Sequence, residues 1–166
     1  MSETLYDEDT YPGCVLDLYR SEVFGEKIAL ALLPWARSEL ERYKLGTIAQ
    51  LETETKARLR PFLARHGLPL EEEDVSGPVN GLLTVLTRAG WREFVQGMAA
   101  DLPQFLARFE EIEAMGPAED AELLHSMVVH ERSLIRFTEL ELEGSEDSLA
   151  DVIALLKYPL PRPLNG

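Results

Sequence analysis

The chain of 166 residues has one cysteine, three histidines and only 16 basic residues against 30 acidic ones. A lone Cys14 cannot close an internal disulfide and has no CxxC partner, so no redox role falls to it and packing must hold the fold. A formal charge of −14 works against tracking along phosphate backbones or lying on anionic lipid, which argues against nucleic acid and membrane as partners. Long apolar runs are missing too: IALALLPW, from Ile28, is far shorter than the roughly 20 residues of a spanning helix. The opening MSETLYDEDT is acidic where a secretory leader is basic and then apolar, and this predicts a reduced, cytoplasmic protein. Strand-like alternation and β-branched clusters are scarce, which leaves an all-α chain.

Hydrophobic residues make up 45% of the sequence, enough for the core of one domain. Helical periodicity predicts a first helix over about 15–33, stopped by Pro34, and a second over about 38–65, closed at Gly67. A polar link, 68–78, joins these to a short helix at about 79–88. A third long helix follows at about 91–114, where Pro103 predicts a kink or split. A fourth covers about 118–143 and ends at Gly144, and Ser145 is placed to cap a short helix reaching Tyr158. The single domain is thus 15–158, flanked by an N-terminal segment, 1–14, and a Pro-rich tail, 159–166.

Helical wheels at about 100° per residue place acidic side chains among apolar ones. Tyr19, Glu22, Val23, Glu26, Leu30 and Leu33 share a face of the first helix, and Ile48, Leu51, Glu52, Thr55, Leu59 and Phe62 share one of the second. On the fourth, Leu124, Met127, Val128, Glu131, Ile135, Thr138 and Leu142 align, with His130 on the flank. The third presents an apolar wall, including Trp91, Phe94, Phe105 and Phe109, with Asp101 at its edge; this wall is either core or the lining of a channel for a small apolar substrate. Glu26, Glu52 and Glu131 each lie near mid-helix, and antiparallel neighbours bring middles together.

Carboxylates buried without compensation protonate, pair with cations or bind a metal. The central stripes hold no lysine or arginine, so a divalent metal is the economical partner, and carboxylate oxygens beside an imidazole suit iron or manganese. The candidate ligands are Glu26, Glu52 and Glu131, with His130 as a fourth. Glu22, one turn from Glu26, either takes its place or pairs with Lys27 or Arg132. Thr55 is placed to support a ligand or orient a bound water.

Over about residues 15–143, the segments YRSEVFGE, QLETETKARL and VVHERSLIRFTELELEG resemble the ferritin-like superfamily, the rubrerythrin-related di-iron carboxylate bundles in particular. There, two helices each give a Glu and the other two a Glu-x-x-His pair. The resemblance implies an antiparallel four-helix bundle with short extra helices, and a site built from Glu22 or Glu26, Glu52, and Glu131 with His130. It further implies a di-iron or mononuclear centre of oxidase or oxygenase type, and pairing into a homodimer. Thr55 stands where the second-helix His belongs, Met127 precedes His130 by three residues, and Leu134 follows Glu131 by three. These departures leave an altered or single-metal site. The alternative is a bundle with no metal cofactor that acts as an interaction or regulatory protein, its glutamates protonated or ion-paired.

Other residues have simpler readings. Glu52 with Lys56 and Glu54 with Arg58 have the spacing of helix-surface ion pairs. His66 suits a helix end and His125 faces away from the stripe. Tyr19 is placed to bond a carboxylate, and EEED at 71–74 reads as a solvated loop. Phe24, Ile28 and Leu32 make the first helix apolar on its far side, to be covered by Leu149, Val152, Ile153 and Leu156 or by a second copy of the chain.

Overall fold

A computed structural model describes Asp7 and residues 9–164; parts of the segments 1–14 and 159–166 lie outside the described residues. The described chain is helical: α1 (Tyr11–Leu32), α2 (Glu39–Arg65), α3 (Ser76–Arg88), α4 (Trp91–Met115), α5 (Ala121–Glu143) and α6 (Ala150–Leu155), with 3₁₀ turns at Leu33–Trp35 and Ala118–Asp120. No helix among the described residues is long and apolar enough to cross a membrane.

The first helix starts at Tyr11, four residues earlier than the periodicity predicts, because Thr10 accepts a hydrogen bond from the Gly13 N–H and Pro12 fits the first turn. Gly67 and Gly144, both at positive φ, close α2 and α5 where expected. Pro103 does not split α4, which runs unbroken through it. Met98 and Leu102 before it pack on one apolar cluster and Phe105 and Phe109 after it on another, so both halves are held against the interior. A second internal proline, Pro61, lies within α2. Ser145 caps a turn at Asp147, and the last helix begins only at Ala150 and stops at Leu155.

Helices α1 and α2 form one closely packed hairpin and α4 and α5 another, with α3 as the link. Chain directions follow from the bonds. Along α2 and α5, Lys44 meets Glu141, Thr55 meets His130 and Arg65 meets Asp120, so the two run antiparallel. On α1 and α5, Tyr11 meets Asp120 and Glu22 meets His130, so these run parallel. The result brings the middles of α1, α2 and α5 to one level.

Three apolar clusters fill the interior, one near the Tyr11 end and two toward Leu32, Leu45 and Phe137. Two wheel assignments need correction. Leu30 is half exposed, whereas Leu32 is fully buried against Leu45, Leu86, Phe94 and Val95. The far side of α1 is therefore covered by α3 and α4, not by α6, whose Val152 packs, with the preceding Leu149, in the cluster of Tyr43, Leu51 and Phe137 instead.

Candidate metal centre

Between the apolar clusters, α1, α2 and α5 bury Glu22, Glu52, His130 and Glu131, each at no more than 5% relative exposure. One turn of helix separates Glu22 from Glu26, and α1 aims the two differently. Glu22 points at His130, whose Nε2 lies 3.4 Å from Glu22 Oε2 and 3.5 Å from Glu52 Oε2. Ligand atoms of Glu22, Glu52 and His130 all fall within 4.8 Å of one another, and this buried group could hold a metal ion. Glu131 stands beside it.

Glu26 belongs to a different set. It accepts from Lys56 and from the Thr53 hydroxyl, and Lys56 also binds Glu72 at 2.5 Å. The expectation that the central helix faces lack lysine is thereby corrected: Lys56 is buried, and its long stem carries the ammonium to α1 and the 66–75 loop. Burial alone would lower the Lys56 pKa, but the hydrogen bonds it donates to Glu26 and Glu72 raise it on balance. Of the EEED loop, Glu72 is thus tied into an ion pair, and Glu73 reaches Arg20. Tyr19, expected on a carboxylate, donates to the Leu70 carbonyl of the same loop.

His130, expected on the flank, is at the centre. Its Nδ1 lies 2.9 Å from Thr55 Oγ1, which fixes the ring so that Nε2 faces the two carboxylates. Thr55 thus supports the histidine supplied by α5. Met127 is fully buried in the apolar cluster near Tyr11.

The group is electrically unfinished. Glu22 Oε2, His130 Nε2 and Glu131 Oε2 are three of the five buried side-chain polar atoms without a hydrogen-bond partner among the described residues. Burial, then the charge of Glu52, raises the Glu22 carboxyl far above the ordinary carboxylate range. Burial pushes Glu131 up to about 7, with His130 opposing and Glu52 assisting. Burial depresses the His130 imidazole, but Glu52 and Glu131 outweigh it and raise it overall. All three shifts describe a site short of positive charge.

One side is open. A cavity of about 140 Å³ lies against Glu52 and Glu131, walled by Phe24 and Ile28 of α1, Leu82 of α3, and Phe94, Met98 and Phe105 of α4. Phe94 and Phe105 of the aromatic wall line it, as does Asp101, whereas Trp91 and Phe109 do not; Trp91 donates instead to Glu141, which also holds Lys44. Gly25 makes room for the Glu52 carboxyl, since a Cβ there would sit 2.6 Å from its carbon.

The remaining candidates lie elsewhere. His66 stacks on Phe62, and His125 pairs with Glu113 on the surface. Glu54, expected to pair with Arg58, accepts the backbone N–H groups of Lys157 and Tyr158 and ties down the C-terminal segment. Compared with protein-family models, curated proteins and solved structures, the chain finds no match in any of the three.

Proposed function

We propose that this chain is a ferritin-like, metal-dependent oxidoreductase in which Glu22, Glu52 and His130 hold one divalent iron or manganese ion. The observation that carries this reading is the meeting of three buried ligand groups from three helices, with Glu22 Oε2 and His130 Nε2 lacking hydrogen-bond partners among the described residues. Two carboxylates and one imidazole are a donor set that suits iron or manganese, and they match a dication in charge. The bound metal would supply redox and Lewis-acid chemistry.

The chain's own residues do the rest. Thr55 orients His130, and Gly25 lets Glu52 approach α1. Glu131 stands at the cavity wall where it can hold or release a proton, and the apolar walls limit water near the reacting groups.

Manganese titration of three variants tests the assignment. Glu22→Gln and His130→Gln should each weaken binding by more than about tenfold, as loss of a ligand does, and Glu26→Gln should stay within about twofold. Equal losses at Glu22 and Glu26 would place the site elsewhere. A second reading, an interaction protein with no metal, draws support from Glu26, which Lys56 satisfies without one. It leaves an oxygen of Glu22 and one of Glu131 without a hydrogen bond among the described residues, and it requires that a chelator leave the melting temperature unchanged.

A further inference from the structure

The cavity beside the carboxylates has a chemistry of its own. Its walls are apolar, and the only charged groups among the described residues that line it are Glu52, Glu131 and Asp101. Lysine, arginine and histidine are absent from the lining. Glu131 is 5% exposed, lines the cavity, and has an oxygen without a partner. Asp101 is exposed on α4, at the outer edge of the space.

We infer that this cavity binds a small apolar amine, its ammonium on Glu131 and its hydrocarbon body against Phe24, Phe94, Met98 and Phe105. Three facts select this class. A cavity of about 140 Å³ is close to the engineered ones of about 150 Å³ that admit benzene, so the body has room for about six or seven non-hydrogen atoms. The lining has carboxylates and no cation, so an anion is rejected and a cation attracted. Aromatic faces beside carboxylates favour an ammonium over a neutral head.

This inference deepens the metal-centre reading by naming what lies next to it, but the binding does not require the metal. A divalent ion would offset the charges of Glu22 and Glu52, and Glu131 and Asp101 would still face the cavity.

Calorimetric titration with cyclohexylamine, cyclohexanol and methylamine tests it, on protein with and without manganese. Cyclohexylamine should bind at least about tenfold tighter than either of the others, the gain expected from one buried charge-assisted hydrogen bond added to apolar contact. Leu82→Trp, which fills the cavity from α3 and touches no proposed ligand, should abolish amine binding and keep manganese binding. Glu131→Met should bring the amine down to the level of cyclohexanol.

Cyclohexanol binding as tightly as the amine, or methylamine doing so, would overturn the inference, the first showing apolar contact alone and the second surface charge alone. So would amine binding unchanged in Leu82→Trp. Should either variant fail to fold, the ranking of the three probes on the wild-type protein decides. Amine binding without manganese binding would sink the metal reading and leave this one standing; the reverse would do the opposite.

Discussion

At the scale of single residues, the centre is a contest between burial and charge. The Glu131 pKa of about 7 in the fold exceeds its ordinary 4.5, so the folded chain holds this proton more tightly than the unfolded chain does. The stability this contributes is complete below about pH 4.5 and is lost as pH rises through about 7. Glu131→Gln should therefore gain on the metal-free wild type by about 1–3 kcal/mol between pH 5 and pH 8. Urea unfolding at the two pH values measures the difference, and a gap that narrows as pH rises would refute it. Manganese takes the place of protons, so its stabilising effect on the wild type should grow over the same range.

Gly25 gives a sharper residue-level test. A methyl group there would press on the Glu52 carboxyl, while α1 itself would gain about 0.5–1 kcal/mol in helix propensity. Gly25→Ala should thus bind manganese about tenfold more weakly with stability equal or higher, a split that calorimetry and thermal melts together reveal. Unchanged affinity would mean that Glu52 is not held by this close approach. The glutamates were legible in the sequence because they interrupt apolar stripes. The choice between Glu22 and Glu26 was not, since both share a face and only the reach of Lys56 from α2 separates them. Lys56 lies one turn beyond Glu52, a position that reads equally as a surface pair until the neighbouring helix is in place.

At the scale of elements, the helix ends marked by glycine or proline were readable, whereas the start of α1, the extent of α6 and the run of α4 through Pro103 were not. Gly67, Gly144 and Pro34 mark ends through backbone rules that hold in any surroundings. Pro103 obeys such a rule in an isolated helix, but the apolar contacts on both sides of it keep α4 continuous. The Lys56 set is the main polar tie between α1, α2 and the 66–75 loop, joined by Tyr19 on Leu70 and Lys27 on Glu73. Lys56→Met would strand Glu26 in the interior, at a cost of about 3 kcal/mol. The double variant Lys56→Met with Glu26→Leu should recover most of that loss, and both should keep manganese affinity within about twofold. A single-variant loss below about 0.5 kcal/mol in urea unfolding would reduce the tie to an ordinary surface pair.

At the scale of the molecule, a chain of net charge −14 that buries four carboxylates in and beside its centre gains from any cation it can bind. The all-helical class followed from what the sequence lacks, and the meeting of α1, α2 and α5 at one level followed from mid-helix glutamates. Which groups would face the space between them did not follow, because His130 enters only once α2 and α5 run antiparallel and Thr55 holds its ring.

The deciding experiment is elemental analysis of protein grown with iron and manganese and purified without a histidine tag. About one metal ion per chain is expected, falling below about a tenth in Glu22→Gln, with a melting temperature that drops in chelator because binding to the folded state stabilises it. Metal below about a tenth of an ion per chain in the wild type, with a melting temperature indifferent to chelator, would contradict the metal centre and leave a cluster neutralised by protons alone.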